Sequence, residues 1–251
     1  MRIDLNGDVG ESFGAYTLGN DADLLRYVSS ANIACGWHAG DPTTMRRTVK
    51  LAMQLGVAIG AHPGLPDLAG FGRRRMALTA EEVYEAVLYQ IGALSAFVEA
   101  EGGKMRHVKP HGALYTMAST DRETADAVAR AVRRFDVSLV LFGLAGSELM
   151  KAGQAQGLRT AGEAFADRTY QADGSLTDRK HYFALVDNGD AAAQQAIDIT
   201  LHGKVRSHQG TELRVEANTI CIHGDSPNAV GFAKAIRERL REAGVEIGPV
   251  E

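Results

Sequence analysis

The sequence predicts an α/β fold built as one domain. Two observations carry this: short β-rich apolar runs alternate with helical patterns along nearly all of the 251 residues, and polar clusters fall repeatedly just after those runs. The alternation is that of βαβ units, whose strands lie parallel in one sheet. Strands are expected at residues 3–6, 31–35, 57–61, 106–109, 138–142, 159–161 (the weakest) and 219–222. The first helix signal follows the second strand, where Asp41 is placed to cap a helix opening on Pro42. Thr79 and Glu82 form a capping box ahead of the stretch VYEAVLYQIGALSAFVEA. Helices at residues 121–134, 147–156, 190–202 and 226–243 complete the alternation, and no linker-like segment or repeat divides it. Residues 170–188 fit the rhythm least and read as an inserted loop or hairpin.

Composition narrows the function. At 45% hydrophobic content, a chain of this length buries about 70–75% of its unfolded surface, so it needs neither metal nor disulfide to fold. A net charge of −4, with both signs interspersed, leaves no basic stripe for nucleic acid. The longest apolar run, VSLVLFGLAG, falls far below the roughly 20 residues of a membrane span, and the N-terminal MRIDLNGDVG has no signal-peptide core. A soluble cytoplasmic protein is expected, with a small-molecule substrate and without nucleic-acid or membrane partners. The two cysteines, Cys35 and Cys221, stand alone in apolar contexts and indicate neither a zinc cluster nor a disulfide framework.

Polar residues recur in DLNGDVGE, ACGWHAGD, GAHPG, HVKPHGALY, GEAFADR and ICIHGD, each following or ending an apolar run. In β/α folds the C-terminal ends of strands converge on one mouth. If the sheet closes, His38, Asp41, His62, Lys109, His111, Glu163, Asp167, Arg168, His223 and Asp225 face a single pocket. Each also has a plainer role: a lone histidine at a strand end is usually a hydrogen-bonded structural residue, and Asp41 is a helix cap. Cys35 is a candidate nucleophile whose default is a small buried side chain. Asp4, Asn6 and Asp8 alternate with Ile3, Leu5 and Gly7 and so share one face of a strand, either an exposed edge or a barrel interior. Carboxylates buried inside a barrel cost several kcal/mol each unless they are paired or poised for work. GAHPGLPDLAGFGRRR suits a long loop that either offers amides and guanidinium groups to an anion or is simply solvated. Lys109 precedes Pro110 at an apolar-flanked strand end, so its amine is either oriented there or simply reaches water. Arg168 and Arg179 flank a polar loop and either hold a carboxylate or pin that loop. No phosphate loop, dinucleotide fingerprint, nucleophile elbow or H-E-x-x-H motif occurs, so nucleotide chemistry needs another kind of site or another chain.

DLNGDVGESFG, SANIACGWHAGDP, GAHPGLPDLAGFGRR, HVKPHGALY, EAFADRTYQADGSL and CIHGDSPNAV together closely resemble the LamB/YcsF family, over essentially the whole chain. Two stretches depart from it: Gly7 stands where the family often has Cys, and RKHYFALVDN replaces an Arg-x-x-(small)-Gly-Ala pattern. The resemblance implies a distorted seven-stranded β/α barrel similar to the polysaccharide deacetylases (the glycoside hydrolase/deacetylase fold). It also implies ATP-dependent opening of 5-oxoproline (pyroglutamate) to L-glutamate, together with two further 5-oxoprolinase subunits, the ATP bound by this chain or through those partners.

On that route Asp8, helped by His38 or His62, is the base for water, and Lys109 and Arg73 steady an oxyanion or phosphate. One of Arg168 or Arg179 grips the substrate carboxylate. His111, Glu163 and Asp225 orient these groups or relay a proton, and Asp4, Asn6, Glu11 and His223 complete the expected binding set. Two alternatives stay open: a deacetylase or amidohydrolase using a divalent metal on Asp8, His38 and His62 without ATP, and a non-catalytic lactam-binding role in a larger complex.

Overall fold

The computed structural model describes residues 1–186, 188–225 and 228–251. In chain order the strands are β1 (Arg2–Val9), β2 (Ser30–Ala34), β3 (Ala58–His62), β4 (Met105–Val108), β5 (Val140–Leu144), β6 (Arg159–Phe165), β7 (Lys204–Arg206), β8 (Glu212–Arg214), β9 (Thr219–Ile222) and β10 (Glu246–Ile247). The helices are α1 (Asp21–Leu24), α2 (Pro42–Gln54), α3 (Ala80–Ala100), α4 (Gly112–Thr120), α5 (Arg122–Phe135), α6 (Glu148–Ala155), α7 (Gly189–His202) and α8 (Ala229–Glu242). Strands β1 to β6 pair in sequence, and β9 pairs with both β6 and β1, closing a parallel barrel of seven strands. The expected architecture is therefore borne out. Short β10 adds to β1 outside the barrel, and β7 and β8 form a separate antiparallel hairpin that no sequence signal had marked.

The local signals act as the physics requires. The Asp41 side chain accepts from the amides of Thr43 and Thr44 and caps α2, and Thr79 and Glu82 close their reciprocal box at α3. Asp121, Ser147 and Asn188 cap α5, α6 and α7. The helix expected from residue 226 is observed from Ala229, and residues 226 and 227 lie outside the described residues. Residues 170–188 hold only isolated bridges, Arg168 with Leu185 and Tyr170 with Leu176, so among the described residues the insertion is a loop.

Strand periodicity sorts the side chains into two environments. Ile3, Leu5 and Val9 of β1 and Ala31 and Ile33 of β2 join the apolar layer that packs under the helices. Their neighbours Asp4, Asn6, Asp8, Ser30 and Asn32 are all buried and point the other way, into the barrel. Gly7 belongs to the outward set: a Cβ there would touch Leu24 and Val28 at 3.3 Å, so this departure from the family pattern does not reach the interior.

Polar groups inside a barrel must bond to one another. The Asp4 carboxylate accepts from Ser29 Oγ at 2.6 Å, Ser30 Oγ at 2.8 Å and Thr219 Oγ1 at 2.6 Å. Asn6 Nδ2 donates to Thr219 Oγ1 at 2.7 Å and Glu163 Oε1 at 2.9 Å, and Asn32 Nδ2 donates to Asn6 Oδ1 at 2.7 Å and Asp8 Oδ1 at 2.8 Å. His107 Nε2 donates to Asn32 Oδ1 at 2.7 Å, its ring kept neutral by burial and the nearby Lys109 charge, which lower its pKa to about 3. That ring fits only because residue 60 lacks a side chain: a Cβ on Gly60 would lie 2.2 Å from it.

Burial raises the Asp4 carboxyl to about 6 from 3.8, although its three hydroxyl partners oppose the shift. The folded state therefore holds this proton more tightly than the unfolded chain, and the associated stability, full below the unfolded value, is lost as pH rises through 6. A shift of this size corresponds to about 3 kcal/mol. Urea unfolding from about pH 4 to pH 8 is expected to show the wild type losing up to about that much relative to Asp4→Asn. Parallel pH profiles for the two proteins would refute the assignment.

Candidate functional site

The polar column rises to the C-terminal mouth of the barrel, where loops after successive strands converge. Lys109, the residue after β4, is 2% exposed and occupies the axis. Its ammonium lies 3.0 Å from Asp8 Oδ1, 2.9 Å from Glu163 Oε1, 3.1 Å from Asn6 Oδ1 and 2.9 Å from Cys221 Sγ. Burial alone would depress the lysine, but Asp8, Cys221 and Glu163 outweigh it and raise its pKa well above the usual value. Burial would likewise raise Asp8, yet His62 and Lys109 hold it well below the ordinary carboxylate range. Lys109 and Asp8 are thus a charged pair, with Glu163 as the second carboxylate on the same ammonium.

Beside this pair sits a histidine cluster. His62 ends β3 with its Nδ1 2.7 Å from the Lys109 carbonyl and its Nε2 3.4 Å from Asp8 Oδ2. His111 packs edge-on to His62, with Nδ1 3.0 Å from His62 Nε2 and Nε2 2.8 Å from the Phe71 carbonyl. Phe71 has φ +54°, the only non-glycine residue with positive φ among the described residues, and this turn aims its carbonyl at the ring. His38 stacks on His111 at 3.7 Å between centroids and faces Glu11 Oε1 at 3.3 Å. Gly72 closes the roof at φ +62°, where a Cβ would stand 2.7 Å from His38 Cβ and 2.9 Å from the His111 ring. Burial lowers His38 and His111 well below the usual histidine value, and burial with the Asp8 charge raises Glu11 well above the usual carboxyl value.

Above these groups opens a cavity of about 520 Å³, lined among others by Asp8, His62, Lys109, His111, Tyr115 and His223 and rimmed by Arg73, Arg75, Arg168, Arg179 and Lys180. Its size is that of a small-molecule site. Of the residues expected from sequence, Asp8, His62, Arg73, Lys109, His111, Arg168, Arg179 and His223 all line it. Asp225 stands behind the rim, 2.6 Å from Arg73 Nη2 and 3.7 Å from Arg179 Nη1, and Asp167 holds His223 at 2.9 Å. Asn6 and Glu163 lie beneath the cavity as supports of Lys109, and His38 and Glu11 lie behind His111.

Other expectations resolve differently. Asp4 is buried two residues below Asn6 on β1, closed off by hydroxyls, and is no part of the cavity wall. Arg168 gives its guanidinium to the carbonyls of Thr177 and Ala184 and so pins the inserted loop. Among the described residues, Arg179 Nη2 and the hydroxyl of Tyr115 are buried without a partner. Cys35 is buried with its thiol raised to about 12, unfit as a nucleophile. Sequence reasoning did not single out Tyr115, Lys180, Asn32, His107 or Cys221 for the site. Tyr115 closes the HVKPHGALY motif, and Asn32 alternates with Ala31 and Ile33, so a signal existed for both.

Among the described residues, Glu11, His38, His62 and His111 bring one ligand atom each within 4.8 Å of one another, and Asp8, Cys221 and His223 form a second such group. No helix among these residues is long and apolar enough to cross a membrane.

The profile of the LamB/YcsF family matches residues 3–251. The chain is 61% identical over 246 residues to a Bacillus licheniformis protein named as a component of 5-oxoprolinase, covering 98% of this chain and 97% of that one. A Bacillus subtilis protein of the same name is 59% identical over 247 residues, covering 98% and 96%. A crystal structure of a lactam utilization protein from Thermus thermophilus superposes over the full length of both chains with TM-score 0.94 and 50% identity. The catalytic domain of a peptidoglycan N-acetylglucosamine deacetylase from Eubacterium rectale shares the fold, with TM-score 0.51 at 11% identity over 99% of this chain and 88% of that one.

Removing one member of a buried charge network leaves its partners uncompensated, typically at about 3–5 kcal/mol. Lys109→Met is expected to lose stability of that order, read from urea midpoints at neutral pH. A midpoint equal to the wild type would mean that Asp8 and Glu163 do not depend on this ammonium.

Proposed function

The chain belongs to the LamB/YcsF family, and from that premise we propose that it is one component of a three-part 5-oxoprolinase, opening 5-oxoproline to L-glutamate with ATP hydrolysis and two partner subunits. The observation that carries this reading is a cavity with a carboxylate–lysine pair at its floor and a rim of guanidinium groups. 5-Oxoproline has matching ends, a carboxylate for the rim and a lactam amide for the floor.

A five-membered lactam is resonance-stabilised and recloses readily, which is why its opening benefits from ATP. The lactam carbonyl oxygen attacks the γ-phosphorus and ADP departs. Water then adds to the carbonyl carbon, giving up a proton to base. The C–N bond breaks as the nitrogen is protonated, and a second water releases phosphate from the resulting acyl phosphate. The absence of a phosphate loop from this sequence accords with the nucleotide being held largely by partner subunits.

Asp8 accepts the proton of the attacking water. Its Oδ1 is anchored by Asn32 and Lys109, which leaves Oδ2 toward His62 and the cavity. A carboxylate held in the ionised form is available throughout the neutral range. Lys109 offsets negative charge developing on the carbonyl oxygen, with Arg73 at the rim facing phosphate. Arg179, whose Nη2 has no partner among the described residues, grips the substrate carboxylate while Arg168 holds the loop that carries it.

Glutamate and ADP formation from 5-oxoproline and ATP are expected in stoichiometric amounts when this chain is mixed with its partner subunits. Asp8→Asn is expected to lower kcat by about 10²–10⁴ in a folded protein, and Arg179→Ala to raise KM about 10- to 100-fold. Lactam opening by this chain alone without ATP would replace the proposal with a metal-dependent amidohydrolase, and wild-type turnover by Asp8→Asn would remove Asp8 from its role.

A further inference from the structure

When His62 and His111 are both neutral, their ring nitrogens that face each other are both acceptors. A carbonyl oxygen only accepts, so His62 Nδ1, 2.7 Å from the Lys109 carbonyl, carries its hydrogen, and so does His111 Nε2, 2.8 Å from that of Phe71. In the neutral rings this turns two lone pairs, on His62 Nε2 and His111 Nδ1, toward each other across 3.0 Å. A carboxylate oxygen, Glu11 Oε1, stands 3.6 Å from the same His111 nitrogen and 3.3 Å from His38 Nε2. Among the described residues His38 Nδ1 is buried without a partner, so none of them keeps that ring from presenting Nε2 as a lone pair.

One proton relieves one of these contacts, whereas a divalent cation satisfies all of them together once the parallel rings of His38 and His111, 3.7 Å apart, tilt toward it. We propose that Glu11, His38, His62 and His111 bind one divalent transition-metal ion at the mouth of the barrel. The ligands come from the loop after β1, the loop after β2, the last residue of β3 and the loop after β4, one from each of four consecutive strand ends. Three imidazoles with one carboxylate suit zinc, cobalt or manganese better than the all-oxygen ligation of calcium or magnesium. Two of the three imidazoles already donate their outer N–H to a backbone carbonyl, the support that metal-bound histidines usually have. The ligand carboxylate is Glu11, and Asp8, 3.4 Å from His62, stays paired with Lys109 outside the set.

The test uses the whole chain freed of metal by a chelator and titrated with cobalt(II) chloride, which reports nitrogen-rich low-coordinate sites by visible absorption, with stoichiometry from calorimetry and elemental analysis. Wild type is expected to bind one ion per chain with a visible band. Glu11→Gln and His111→Asn, verified as folded by circular dichroism, are expected to weaken binding by more than the roughly 10- to 100-fold typical of outer-shell changes. Cys221→Ala is expected to bind as the wild type does. Absence of stoichiometric binding to the wild type overturns the proposal, as does undiminished binding by both ligand variants. Binding lost in Cys221→Ala but kept in Glu11→Gln would overturn it in favour of the Asp8, Cys221 and His223 group. The titration contains neither lactam nor nucleotide, so its outcome is independent of the substrate proposed above.

Discussion

The buried ammonium of Lys109 is the interaction on which the rest of this barrel depends. An interior lined with Asp4, Asn6, Asp8, Asn32, His107 and Glu163 departs from the branched apolar filling usual in β/α barrels. Such an interior is tolerable only when each donor meets an acceptor and the charges nearly cancel. Lys109 meets four acceptors at once, and two of them, Asp8 and Glu163, reach it from β1 and β6. Asn6 and Asn32 then use both ends of their amides to join these groups to Thr219, His107 and, through Thr219, Asp4. The network is continuous from the lower barrel to the mouth.

Continuity of this kind fixes geometry at the site. Asp8 is held through one oxygen by Asn32 and Lys109, and the Lys109 backbone carbonyl in turn fixes the ring of His62. One residue therefore sets both members of the pair at the cavity floor, its side chain acting on the carboxylate and its main chain on the imidazole. The roof is set by backbone conformation: Phe71 and Gly72 at positive φ bring a carbonyl and a hydrogen atom to the positions that hold His111 and admit His38.

How far the sequence disclosed this arrangement follows from the range of each signal. Period-two alternation is local, so Asp4, Asn6 and Asp8 were legible as one face of a strand, and helix caps at Asp41 and Thr79 were legible for the same reason. Strand ends were misjudged where the interior is charged. The strand expected at 159–161 runs to Phe165, because Glu163 reads as the start of a loop until barrel closure supplies Lys109 as its partner. The first strand likewise extends past Gly7 and Asp8 to Val9. The β7–β8 hairpin escaped notice because its exposed charged residues carry no apolar run. His107 could not be placed, since its role depends on Gly60 of a neighbouring strand making room for the ring. The histidines were visible one by one, but that Glu11 rather than Asp8 joins His38 and His111 depends on loop paths after four strands.

The charge order inside the barrel also orders the cavity above it. Acceptors lie deep, on Asp8, Glu11 and the histidines, while cations crowd the rim in Arg73, Arg75, Arg168, Arg179 and Lys180. Asp225 lies between Arg73 and Arg179, keeping the two guanidinium groups near each other despite their like charge. A ligand with a carboxylate at one end is drawn to the rim by that end and repelled from the floor, so its other end alone can reach Asp8 and Lys109. The segregation that lets a polar interior fold is the one that selects which end of a ligand meets the reactive groups.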